Sequence, residues 1–127
     1  MMKEGVLTPD KDQTLIARLV EKVVQPKGYD QIRVNSEGYD MPAEIKSQES
    51  DKVFVPDATA MRNGRKNYFE LGLKTDRVRP LITKWKLLSN LARFRGGKLF
   101  LVVPRGHHAF VKRILRDYPV EAKVVKI

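Results

Sequence analysis

A chain of 127 residues, 42% hydrophobic and 31% charged, has the length of one domain and the composition of a folded one, so residues 1–127 are read as a single unit with a small core. The absence of cysteine excludes disulfides, zinc–thiolate and iron–sulfur ligation, and thiol nucleophiles. The net charge of +10 is unevenly placed, with 8 basic and 11 acidic side chains in residues 1–60 against 17 and 4 in residues 61–127, a polarity that suits an anionic partner, nucleic acid foremost.

Thr8-Pro9 opens the first predicted helix, Thr8 as N-cap and Pro9 in the first turn. Leu15, Ile16, Leu19, Val20 and Val23 recur at helical spacing up to a stop at Pro26-Lys27-Gly28. Tyr29–Asn35 reads as a strand with Tyr29, Ile32 and Val34 inward. A polar stretch from Ser36 to Asp51 follows, with a short strand at Ala43–Ser47. Lys52–Met61 reads as one strand, Asn63-Gly64 as a hairpin turn, and Asn67–Lys74 as the returning strand. A helix over Pro80–Arg95 carries the stripe Leu81, Ile82, Trp85, Leu88, Leu91 and Ala92 and ends at Gly96-Gly97. Lys98–Val103 is apolar enough for a buried central strand. Gly106–Tyr118 is a third helix, with Phe110, Ile114, Leu115 and Tyr118 inward, and Glu121–Ile127 is a last strand. The order implies an α/β three-layer sandwich around a central mixed sheet. The N-terminus has neither a signal-peptide pattern nor a membrane span, so a soluble cytoplasmic protein is expected.

Two acids in the hairpin stand out. Asp57 lies six residues before Asn63-Gly64 and Glu70 six residues after, which places them opposite each other, with Cβ atoms roughly 4.5–5.5 Å apart. Carboxylates that close repel unless a cation or a shared proton intervenes. Hard divalent ions are held in this manner, by one or two carboxylates with water and a substrate phosphate. A plainer reading stays open: Asp57 in a turn, and Glu70 paired with one of the eleven basic residues between 62 and 98. Arg62, Arg65 and Lys66 in the turn, with Arg77, Arg93 and Arg95, are the expected contacts to a sugar–phosphate backbone. Trp85 is assigned to the core. His107-His108 is not a paired metal site, because adjacent histidines point apart. Glu44-Ile45-Lys46 is taken as a coincidental Glu-x-Lys.

A helix, a hairpin with Pro56-Asp57 on its first strand and Glu70 on its second, then helix–strand–helix, resembles the PD-(D/E)xK nuclease superfamily over roughly residues 9–127. This is the restriction-endonuclease-like fold, shared by small Holliday-junction resolvases and by phage or transposon endonucleases. The resemblance implies Mg²⁺ or Mn²⁺ held by Asp57, Glu70 and the Leu71 carbonyl, hydrolysis of DNA phosphodiesters ahead of RNA, and a homodimer. It also puts Glu21 where many members carry an accessory acid. The sequence departs from the pattern at one place: Gly72 stands where the superfamily has its lysine. Lys74, one pleat further along the strand, and Lys84, on the following helix, are the two replacements the resemblance allows. With neither in place, the chain would be a non-catalytic nucleic-acid-binding module on the same fold. A weaker third reading is a subunit whose basic face docks an acidic protein.

Overall fold

The computed structural model describes residues 11–48 and 51–127. Thr8 and Pro9 lie outside them. The described helix α1 spans Gln13–Leu19, and its N-cap is Asp12, whose carboxylate accepts the Thr14 N–H at 2.8 Å and so satisfies one of the first-turn donors. It runs on through a widened π turn at Val20–Val24 and a tight 3₁₀ turn at Gln25–Lys27. The left-handed Gly28 (φ +71°) ends it, at the stop expected from Pro26-Lys27-Gly28.

Strand β1 is Asp30–Val34, and a two-stranded ribbon pairs β2 (Ile45–Lys46) with β3 (Val53–Phe54). The run expected as one strand over 52–61 is two. It breaks at Val55-Pro56-Asp57 and resumes as β4, Ala58–Arg62. Pro56 has no N–H to give a ladder, so the chain changes sheets there, and Asp57 sits just before β4 rather than within it. The Asp57 carbonyl accepts the Asn35 N–H at 2.9 Å and ties the break to the end of β1. Asn63 and Gly64 both have positive φ (+53° and +75°), the pairing that a two-residue hairpin turn needs. The return strand β5 is Arg65–Leu71.

Helix α2 (Val78–Phe94), strand β6 (Leu99–Val103), helix α3 (His108–Asp117) and strand β7 (Lys123–Lys126) complete the chain. The main sheet has the order β1-β4-β5-β6-β7. Pairing is antiparallel between β1 and β4 and between β4 and β5, then parallel between β5 and β6 and between β6 and β7. The expected mixed sheet is therefore present, with α2 and α3 as the crossovers between its parallel strands.

Alternation along β5 sorts its side chains onto two faces. Phe69 and Leu71 pack with Ile16, Leu19, Val20, Val23 and Val24 of the first helical segment. Tyr68 faces the other way and packs with Trp85 and Leu88 of α2 and with Phe110, Val111 and Ile114 of α3. The sheet thus carries the first helical segment on one face and α2 with α3 on the other. On α3 the inward set is Phe110, Val111 and Ile114, while Tyr118, expected inward, is exposed at the C-cap. The backbone turns extended at Tyr118 and carries its ring off the helical stripe. The end of α2 is fixed by backbone crowding: Gly96 is left-handed, and a Cβ on Gly97 would fall 1.8 Å from the Lys66 carbonyl oxygen.

Candidate cation and polyanion site

Hairpin register places the two acids as the turn chemistry predicted. Ala58 pairs with Phe69, so Asp57 and Glu70 come next along the same ladder. Their contacts are reciprocal. The Asp57 N–H donates to Glu70 Oε1 at 2.9 Å, and the Leu71 N–H donates to Asp57 Oδ2 at 2.7 Å. Both acids are 1% exposed, and each carboxylate is held by backbone from the partner strand.

Two lysines converge on this pair. Lys11, immediately before α1, places Nζ 2.6 Å from Asp57 Oδ2, 3.1 Å from Glu70 Oε2 and 3.5 Å from the Leu71 carbonyl oxygen. Lys84, on the buried face of α2, places Nζ 2.6 Å from Glu70 Oε2 and donates to the Val55 carbonyl at 2.9 Å. Lys84 reaches Glu70 because alternation turns Glu70 toward the α2 side of the sheet, beside Tyr68. Among the described residues, two buried carboxylates meet two ammoniums here and their formal charges balance, as burial favours.

The cluster splits the ionisation of the two acids. Burial and the neighbouring Glu70 charge push the Asp57 carboxyl above the ordinary aspartate range. Burial acts upward on Glu70 as well, but the ammoniums of Lys11 and Lys84 outweigh it and hold that carboxyl below its ordinary range. Burial acts downward on Lys11, and the charges of Asp57 and Glu70 overcome it, so the amine stays protonated to higher pH than a free lysine. One polar valence is left over: Asp57 Oδ1 is buried without a hydrogen-bond partner among the described residues.

Gly72, where a lysine was missing, has a steric explanation. A Cβ there would lie 2.9 Å from a methyl of Val111 on α3 and 3.1 Å from a methyl of Val103 on β6. The strand surface that would carry that lysine is packed directly against α3. Lys84 therefore brings its ammonium to Glu70 from the facing helix, whereas Lys74 is exposed beyond the end of β5, where its N–H donates to His107 Nδ1 at 2.8 Å. Glu21 is exposed rather than turned toward the acids. His108 is tied to the Val103 carbonyl, and Trp85 is fully buried, as expected for core. Ile45 and Lys46 of the coincidental Glu-x-Lys form β2, in the separate ribbon.

The expected backbone contacts divide between the two ends of the sheet. Asp57 and Glu70 lie at the C-terminal end of β5, the end from which the chain leads into α2 and its N-cap residue Arg77. Arg62, Arg65, Lys66, Arg93 and Arg95 belong to the hairpin turn and to the C-terminal turn of α2, at the opposite end. Glu70 lies five positions along β5 from Arg65, about 17 Å at the usual strand rise. Lys66 is half-buried there, and burial with the charges of Arg95 and Arg33 pushes its pKa down. The Arg62 guanidinium stacks over the Tyr29 ring at 5.7 Å and the Lys66 ammonium over Tyr68 at 5.4 Å. No ion pair joins Arg33, Arg62, Arg65, Lys66 or Arg95 to a carboxylate among the described residues.

Lys11 is the residue that sequence reasoning missed. It precedes the helical stripe and belongs to no motif, so its only signal was that a buried acid pair needs more positive charge than one lysine supplies. Among the described residues no group of three or more His, Asp or Glu side chains is gathered, so an ion here would be held by two carboxylates and a carbonyl. No described helix is long and apolar enough to cross a membrane. No family model, curated protein or solved structure matches the chain.

Proposed function

We propose that the chain is a nucleic-acid-binding protein with a divalent-cation site at Asp57, Glu70 and the Leu71 carbonyl, acting as a metal-dependent endonuclease on DNA phosphodiesters. The observation that carries this reading is the convergence of those three donors on a single point, now marked by the Lys11 ammonium. The donor set fits Mg²⁺ or Mn²⁺ by its chemistry: two hard carboxylates, a neutral carbonyl, and an Asp57 oxygen still lacking a partner. When bound there, such an ion supplies positive charge beside a scissile phosphate and a more acidic water.

The chain's own residues do the rest. The reciprocal backbone bonds to Glu70 Oε1 and Asp57 Oδ2 hold both carboxylates in place without side-chain rearrangement. Lys84, anchored on Glu70 and the Val55 carbonyl, orients the attacking water in place of the lysine that Gly72 lacks. Arg77 receives the phosphate next to the acids. The basic hairpin end takes the backbone about 17 Å away by strand rise, so one polyanion spans both ends of β5. Arg62, Arg65, Lys66 and Arg95 have no carboxylate ion pair among the described residues, while Arg93 pairs with Glu121 at 3.7 Å, and phosphates would relieve the mutual repulsion of the four.

A second reading has its own support. Lys11 and Lys84 already neutralise the two acids, so the same fold can bind nucleic acid without metal and without turnover. The test is incubation with supercoiled, linear, branched and single-stranded DNA and with RNA, in Mg²⁺, Mn²⁺ or EDTA, alongside an Asp57→Ala variant. Metal-dependent cleavage lost in the variant is the expected result. Cleavage that survives Asp57→Ala overturns the assigned site, and salt-sensitive binding without cleavage selects the second reading.

A further inference from the structure

We infer that Lys11 is an internal cation that competes with the divalent ion for the same donors, so that metal loading requires its ammonium to leave. The inference rests on the proposed cation site and adds a residue that the site's own pattern does not contain. Three facts carry it. The Lys11 ammonium contacts Asp57 Oδ2, Glu70 Oε2 and the Leu71 carbonyl oxygen together, at 2.6, 3.1 and 3.5 Å, which is one oxygen from every member of the proposed donor set. Its side chain keeps 10% exposure, against 1% for both acids and 5% for Lys84, so it is the most accessible member of the cluster. Lys84 pairs with Glu70 at 2.6 Å and is anchored to the Val55 carbonyl from within the core at 5% exposure, which leaves Lys11 as the more exposed of the two ammoniums.

Charge arithmetic supports exchange rather than addition. Among the described residues, the two carboxylates and two ammoniums sum to zero. Adding a divalent ion beside both lysines would leave the buried cluster at plus two, against plus one if Lys11 withdraws, and a single substrate phosphate then restores neutrality. Like charges within a few ångströms in a buried site are strongly unfavourable. The ammonium and the ion also need the same lone pairs on Asp57 Oδ2 and Glu70 Oε2. The apparent affinity for metal is then the intrinsic affinity reduced by the fraction of molecules with Lys11 withdrawn. If that fraction is about a tenth, metal binds about tenfold more weakly than to an open site.

The test measures Mn²⁺ binding by electron paramagnetic resonance in the full chain and in Lys11→Met, Asp57→Asn and Lys86→Met. Lys86 is exposed on α2 and serves as a control for net charge alone. The expected result is that Lys11→Met binds Mn²⁺ about tenfold or more tightly, while Lys86→Met matches the parent and Asp57→Asn loses binding. A second readout follows reductive methylation of Lys11, which should be slow in EDTA and fast in saturating Mg²⁺. Equal affinity in parent and Lys11→Met, with binding still lost in Asp57→Asn, overturns the competition and leaves the cation site standing. So does a Lys11 amine that stays protected in the loaded protein. No binding in either the parent or Lys11→Met overturns the site and the competition together. Thermal melts of each variant confirm that the fold measured is the parent's.

Discussion

Replacing Gly72 with alanine adds one methyl to the most crowded point near the acids. Its Cβ would stand 2.9 Å from a Val111 methyl and 3.1 Å from a Val103 methyl, about an ångström inside comfortable carbon–carbon contact. Both valines are fully buried and β-branched, so neither can rotate away cheaply. Overpacking of this kind costs about 1–3 kcal/mol. Gly72 does not have a positive φ, so alanine suffers no backbone strain there and restores about 0.4–1 kcal/mol through the unfolded chain. The net expectation is a loss of about 1–2 kcal/mol, a fall of roughly 3–8 °C in Tm for a domain of this size. Urea and thermal denaturation of Gly72→Ala, Val111→Ala and the double variant read it directly. The double variant should cost less than the two singles summed, because truncating Val111 makes the room that the added methyl needs. Additivity within about 0.5 kcal/mol, or a neutral Gly72→Ala, would refute the steric account of why this strand carries no lysine. Gly72→Lys follows from the same geometry: a bulkier side chain at that point destabilises the fold and raises no cleavage rate above the parent's.

Three further outcomes follow. Lys84→Met removes a buried partner at 2.6 Å from Glu70 and should cost about 3 kcal/mol, the lower end for a broken buried pair because Lys11 remains; the chemical denaturation midpoint reads it, and adding Glu70→Gln should recover part of the loss. Carbon-13 titration of the carboxyls should show Asp57 taking up a proton above the ordinary aspartate range and Glu70 below its own. The signs then oppose: Glu70 contributes stability present above its unfolded pKa and lost as pH falls through its depressed folded value, while protonating Asp57 through its raised value stabilises the fold. Neutralising Arg65, Lys66 and Arg95 together should weaken DNA binding across all sequences and flatten its salt dependence by about three units of slope, whereas Asp57→Ala should leave that slope unchanged.

The parts of this molecule legible in its sequence are those governed by local periodicity. Asn63-Gly64 fixed the hairpin because both turn positions need positive φ, and the register of Asp57 against Glu70 followed by counting. The apolar run over 99–103 located the central parallel strand, and the stripe on α2 located its buried face to within a residue. The errors came where tertiary context decides. Pro56 broke an expected single strand into pieces belonging to two sheets. Tyr118 sat on the helical stripe by spacing, yet the helix ends beneath it. The basic residues of the second half looked like one surface, but strand direction sends Arg77 to the acid end and Arg62, Arg65, Lys66, Arg93 and Arg95 to the other. Lys11 and the packing of Gly72 against Val111 are contacts between residues 46 or more positions or a whole layer apart, and no local pattern encodes them.

Asp57, Glu70 and the Leu71 carbonyl are the proposed divalent-cation site. The most direct measurement is anomalous diffraction from crystals of the chain grown in Mn²⁺. The expected result is a single strong peak with an Asp57 oxygen, a Glu70 oxygen and the Leu71 carbonyl oxygen each about 2.0–2.2 Å away, near the octahedral distances of such ions, and with the Lys11 ammonium displaced from both acids. A Mn²⁺-saturated crystal with Lys11 still seated on Asp57 and Glu70 and no peak between them would contradict it.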